Sequence, residues 1–172
     1  MKSLTTIILS LISLSIVSAQ TEYSSPVISI GVIVSDLDKS VDFYQNILGM
    51  KKSREFDINT DFGIRSGLTG GVPFSVLVFK LEDIQEATEW KLISFGKDAQ
   101  HPRQKWIQDD TGIQYVTLNV KSLKPFLERF EKGGIPLLGE TPTAINDDLW
   151  FILVQDPDGN FIELIGPPLN MN

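Results

Sequence analysis

The chain has 172 residues, no cysteine, one histidine and a formal net charge of −7, with 42% hydrophobic and 22% charged residues. This ordinary globular balance excludes a disordered, collagen-like or disulfide-built chain, and the lack of cysteine excludes a cysteine zinc site and a cysteine nucleophile. The acidic surplus argues against nucleic acid as a partner, because phosphate binding needs a cationic face, and the single His101 cannot build a multi-histidine metal site.

Met1-Lys2 is a short basic start, Leu4 to Val17 is an uncharged apolar run, and Val17-Ser18-Ala19 places small or modest residues where a signal peptidase reads. The pattern predicts a signal peptide over residues 1–19; as a membrane span the run falls short of the roughly 20 residues needed. No cysteine follows for a bacterial-type lipid anchor. The expected mature chain, residues 20–172, is one domain of 153 residues with net charge −8, secreted or periplasmic, with no stable membrane insertion after cleavage. An exported protein meets an oxidising compartment without a dependable supply of ATP, NADPH or glutathione.

Val27–Val34 is rich in β-branched residues and reads as a strand. Ser35-Asp36 can cap a helix whose apolar stripe is Val41, Tyr44 and Leu48, ended by Gly49. Strands follow at about Lys51–Ile58, Phe74–Leu81 and Thr88–Phe95, with glycine-rich Ser66–Gly71 as a loop lacking the ending of a phosphate-binding loop. The same order then returns. Ile113–Val120 reads as a strand. Ser122 can cap a helix with stripe Leu123, Phe126, Leu127 and Phe130, and Gly133-Gly134 stops it. Strands follow at about Pro136–Thr141, Leu149–Gln155 and Asn160–Ile165, the last two joined by the turn Asp156-Pro-Asp-Gly159. Val34 matches Val120, Leu37 matches Leu123 and Tyr44 matches Phe130, each 86 residues apart. The repeat predicts two βαβββ modules, at about 27–97 and 113–167, with helices on one face of their sheets and the other face buried or lining a cavity.

Val32-Ile-Val-Ser-Asp-Leu-Asp-Lys-Ser-Val-Asp-Phe-Tyr44 with Ile47-Leu-Gly49, and Asp156-Pro-Asp-Gly-Asn-Phe-Ile-Glu-Leu164, resemble the vicinal oxygen chelate superfamily, which includes glyoxalase I, bleomycin- and fosfomycin-resistance proteins and extradiol dioxygenases. The resemblance runs from about Val27 to Pro167. It implies an α+β fold of two βαβββ modules pairing to form a curled sheet around a cavity, with the helices on the outer face. In metal-using members each module gives one ligand from its first strand, usually a histidine, and one from its last, usually a glutamate. The ion then acts as a Lewis acid on two adjacent substrate oxygens.

On the first strands, Ser29 and Tyr115 stand where that resemblance places the histidines, again 86 residues apart. Glu163 matches the glutamate of the second module. Aligning Trp90-Lys91-Leu92 with Ile162-Glu163-Leu164 puts Lys91 at the equivalent place in the first, with Glu89 or Ile93 taking it if the register slips by two. Only Glu163 is a good ligand for a divalent ion. The expectation is therefore a site with no metal and no cofactor. In it Lys91 and Glu163 pair across a cavity with Tyr115 bonded to the carboxylate, either as a ligand site or only holding the modules in register. Glu163 and His101 are the candidate catalytic bases; His101 also fits an ordinary loop residue. Trp106 either closes the cavity mouth or anchors the linker. Lys51-Lys52 with Arg54 reads as a solvated strand face, and Trp90 and Trp150 as core.

The sequence reading is an exported glyoxalase/bleomycin-resistance-like domain that binds a small organic molecule through Ser29, Lys91, Tyr115, Glu163 and Trp106. The alternative is a lyase or isomerase acting on a small oxygenated substrate. Glyoxalase I chemistry is disfavoured by the incomplete ligand set and the scarcity of its thiol cosubstrate outside the cytoplasm, and extradiol dioxygenase chemistry by the histidine count. The pairing of two chains as a homodimer, seen in many relatives, is left open.

Overall fold

The computed structural model describes residues 24, 25, 27–96 and 102–168. Residues 1–19, expected to be a signal peptide, and His101 lie outside the described residues. Two four-stranded sheets of identical order make up the α+β fold. The first module runs β1 Ser29–Ile33, α1 Leu37–Val41, β2 Lys51–Ile58, α2 Thr60–Ser66, β3 Phe74–Lys80 and β4 Glu89–Ser94. The second runs β5 Tyr115–Asn119, α3 Lys124–Gly133, β6 Thr143–Ala144, β7 Trp150–Gln155 and β8 Phe161–Gly166. The sheets are ordered β1-β4-β3-β2 and β5-β8-β7-β6. In each, the first and last strands pair in parallel and the rest antiparallel. The two βαβββ modules anticipated from the repeat are thus present, and neither sheet closes on itself.

Alternation decides what each face carries. Leu77 and Phe79 of β3, Trp90 and Leu92 of β4, Ile152 and Val154 of β7, and Ile162 and Leu164 of β8 point to the helix side. There they form one continuous core with Phe43, Tyr44, Leu123 and Phe130. Val76, Val78 and Phe161 are also buried, yet they stand outside that core, on the opposite face. Asp36 caps α1 by accepting from the Lys39 amide, which satisfies one of the helix's orphan donors. The helix then widens into a π-helical turn at Asp42–Ile47, with Leu48 N–H donating to the Phe43 carbonyl, and this turn buries Phe43 and Tyr44. Against it packs α3: the Arg129 guanidinium lies 4.4 Å over the Phe126 ring and donates to the Ile47 carbonyl.

One helix is added and two local expectations are corrected. The strand Lys51–Ile58 is present as expected, and Asn59 then opens an unanticipated helix α2 by capping Phe62 N–H, which Gly67 ends with positive φ (75°). The strand expected at Pro136–Thr141 is absent. Pro136 and Pro142 offer no N–H to a ladder, and the only strand before β7 in this module's second half is the two-residue β6. Ser122 does not cap α3, whose N-cap is Leu123 with no side-chain bond; Pro125 sits in the first turn, where its missing N–H costs little.

Candidate functional site

On the face of the first sheet turned away from the helices, pairing registers set the side chains in rows. Ser29 stands opposite Glu89, which stands opposite Lys80. In the next row Gly31 faces Lys91, Lys91 faces Val78 and Val78 faces Arg54. In the third, Ile33, Ile93, Val76 and Phe56 follow in the same way. Directly opposed residues share a face, so three strands bring their polar groups onto Glu89. Its Oε2 accepts from Ser29 Oγ at 2.8 Å and from Arg54 Nη2 at 2.8 Å, and Lys91 Nζ lies 3.7 Å away. Burial pushes the Glu89 carboxyl up. The Ser29 bond, Arg54 and Lys91 outweigh it and hold the group below the ordinary glutamate range.

The second sheet carries the equivalent positions on its own open face. Tyr115 stands opposite Phe161 and Thr117 opposite Glu163. Because Gly31 and Thr117 are 86 residues apart, these registers place Lys91 and Glu163 at equivalent points of the two modules. Glu163 accepts from Thr117 Oγ1 at 2.6 Å. The pair expected between Lys91 and Glu163, with Tyr115 on the carboxylate, is not made: each charge finds a partner on its own sheet. The reason is reach, since Glu89 two residues along the same strand and Thr117 on the adjacent strand are met without leaving the sheet. Tyr115 is half exposed.

Between the edges of β1 and β5 lies a pocket of about 390 Å³, bordered by Gly31, Ile33, Trp90, Tyr115 and Phe161. Trp106 does not border it. It stands half exposed in a turn whose Lys105 and Trp106 amides both donate to Asp109, with Lys105 Nζ over its ring at 5.1 Å. Among the described residues, no three His, Cys, Asp or Glu side chains come together as they would around a metal ion.

Sequence reasoning missed Arg54 and treated Glu89 only as the residue a register slip would select. The alternation Arg54, Phe56, Ile58 on β2 was the available signal, since it puts a cation on the same face as two apolar residues.

A second polar cluster ties the modules together at the Asp156–Gly159 turn. Buried Asp156 accepts from Tyr44 OH at 2.7 Å, from the Asn160 side chain at 2.9 Å and from the amides of Asp158 and Asn160. Asp158 accepts from the Ser35 amide at 3.1 Å and from the Ser35 hydroxyl. Burial, then the Asp156 charge, push the Tyr44 phenol well above its ordinary range.

With fold and site in view, the chain matches the Glyoxalase/Bleomycin resistance protein/Dioxygenase superfamily over residues 27–164, and it belongs to that family. It is 28% identical over 147 residues to a lactoylglutathione lyase of Pseudomonas aeruginosa, covering 80% of each chain. In structure it is similar to a glyoxalase family protein from Bacillus cereus, with a TM-score of 0.71 and 17% identity over 87% of this chain and 97% of that one. It is also similar to an antibiotic binding protein from a Streptomyces species, with a TM-score of 0.56 and 20% identity over 87% of this chain and all of the other. Among the described residues no helix is long and apolar enough to cross a membrane.

Proposed function

We propose that this family member is exported and binds a small organic molecule on the open faces of its sheets, without the divalent ion that metal-using relatives hold. The observation that carries this reading is Lys91. An ammonium occupies the point equivalent to Glu163, and it would repel a cation brought to the four positions Ser29, Lys91, Tyr115 and Glu163. The two hydroxyls are weak ligands, and the one carboxylate already accepts a bond from Thr117. The donor set does not fit a divalent ion, and positive charge comes instead from Lys91 and Arg54. The Streptomyces neighbour, described as an antibiotic binding protein, is compatible with such a use of the fold.

A second reading, a lyase or isomerase with Glu163 as base, is favoured by the relative named lactoylglutathione lyase. Protein recovered from its own compartment separates the two. The binding reading expects an N-terminus at Gln20, substoichiometric metal by elemental analysis, and an extra organic mass in native mass spectrometry. Stoichiometric divalent ion, or lyase activity restored by added divalent ion, would overturn it.

A further inference from the structure

Resting on that binding reading, the geometry points to a ligand class: we infer that the first sheet's open face and the adjoining pocket receive a monocarboxylate with an apolar body, its head on Lys91 and Arg54. Lys91 is three-quarters covered, yet its one partner among the described residues, Glu89, is 3.7 Å away, too far for a hydrogen bond. An ammonium held only by this ion pair keeps its donors for an incoming acceptor. Arg54 spends one nitrogen on Glu89 and keeps the rest of its planar fork, which suits a carboxylate. Against the one Glu89 carboxylate stand Arg54 and Lys91, with Lys80 opposite Glu89 in the same row, so the face keeps a positive surplus that an anion offsets. Opposite Lys91, Gly31 has no side chain and borders the pocket, with Ile93 Cδ1 the nearest atom to where its Cβ would stand, so the apolar wall of the pocket begins one strand from Lys91.

The rest of the ligand is defined by what borders that approach. The row beyond Lys91 is apolar from Phe56 through Val76 and Ile93 to Ile33, and the pocket beyond Ile33 has Phe161 and Tyr115 on its far side. A charged or sugar-like body would lose its hydration against these groups without compensation, whereas an aryl or alkyl body gains by leaving water.

Calorimetric titration with benzoate, 4-phenylbutyrate, octanoate and indole-3-acetate, each beside its primary amide, tests the assignment. At least one acid is expected to bind with Kd below about 1 mM. Its amide and the Lys91→Gln variant are expected to show about tenfold or greater loss, the size of a charge-assisted hydrogen bond. Lys91→Arg should retain most of the affinity, and an unchanged melting temperature of Lys91→Gln shows that a loss is not unfolding. Amides binding as tightly as acids would overturn the carboxylate assignment while leaving a small-molecule site. Phenyl phosphate binding more tightly than every acid would overturn it in favour of a dianion. Acids and amides all failing to bind would overturn it together with the binding reading.

Discussion

Tyr44 shows how much one hydroxyl decides here. The side chain is fully buried, and its phenol supplies one of the bonds that keep the covered Asp156 carboxylate solvated by the protein. Tyr44→Phe keeps the ring and removes that donor, so urea unfolding should show a loss of about 1–3 kcal/mol. The raised phenol pKa adds a pH signature. Above the unfolded value near 10 the unfolded chain releases a proton that the folded chain keeps, so this stabilisation is present below pH 10 and is lost as pH rises through the folded value. Wild type should therefore lose about 1.4 kcal/mol more per pH unit than Tyr44→Phe in that range. From the sequence Tyr44 was legible as part of an apolar stripe, but its partner, 112 residues away, was not. Lys91 shows the same limit. Its place in the module followed from the repeat, but its choice of Glu89 over Glu163 depends on which carboxylate lies within a side chain's reach.

At the level of elements, the helix–helix contact is set by Gly133. A Cβ there would stand 2.6 Å from Ile47 Cδ1, the tip of a flexible side chain, and 3.7 Å from Cγ1. Gly133→Ala alone should be close to neutral, the shift of that flexible tip offsetting the gain in helix propensity. In an Ile47→Val background, where that tip is gone, the same change should stabilise by about 0.5–1 kcal/mol. Equal effects in both backgrounds, measured by denaturation, would refute the contact as the cause. The long elements were legible because each has a period and a stop: the β-branched first strands, the stripes ending at glycine, the turn before β8. The misses are places with weak local signals. A seven-residue helix after β2 has too few residues for a period, and the proline-bounded segment before β6 is hydrophobic without being able to complete a ladder.

The whole molecule is held as one unit because the core does not stop at the module boundary. Tyr44 packs on Trp90, Phe130 belongs to the same cluster, and the turn at Asp156 reaches back to Tyr44 and Ser35. Unfolding should therefore be a single transition. A Trp106→Phe/Trp150→Phe variant reports from Trp90 in the first module, and a Trp90→Phe/Trp106→Phe variant from Trp150 in the second. Each fluorescence midpoint should coincide with the circular-dichroism midpoint of the same variant; separate midpoints would mean that the modules unfold independently. The amino-acid order alone determined the repeat and the βαβββ modules, because periodicity, turn chemistry and spacing are local properties of a chain; the four positions Ser29, Lys91, Tyr115 and Glu163 followed only from the resemblance to the family. The tertiary structure alone decided that Glu89 gathers Ser29, Arg54 and Lys91 while Glu163 turns to Thr117. Such pairings depend on strand order and register, which bring together residues whose separation along the chain carries no sign of the contact.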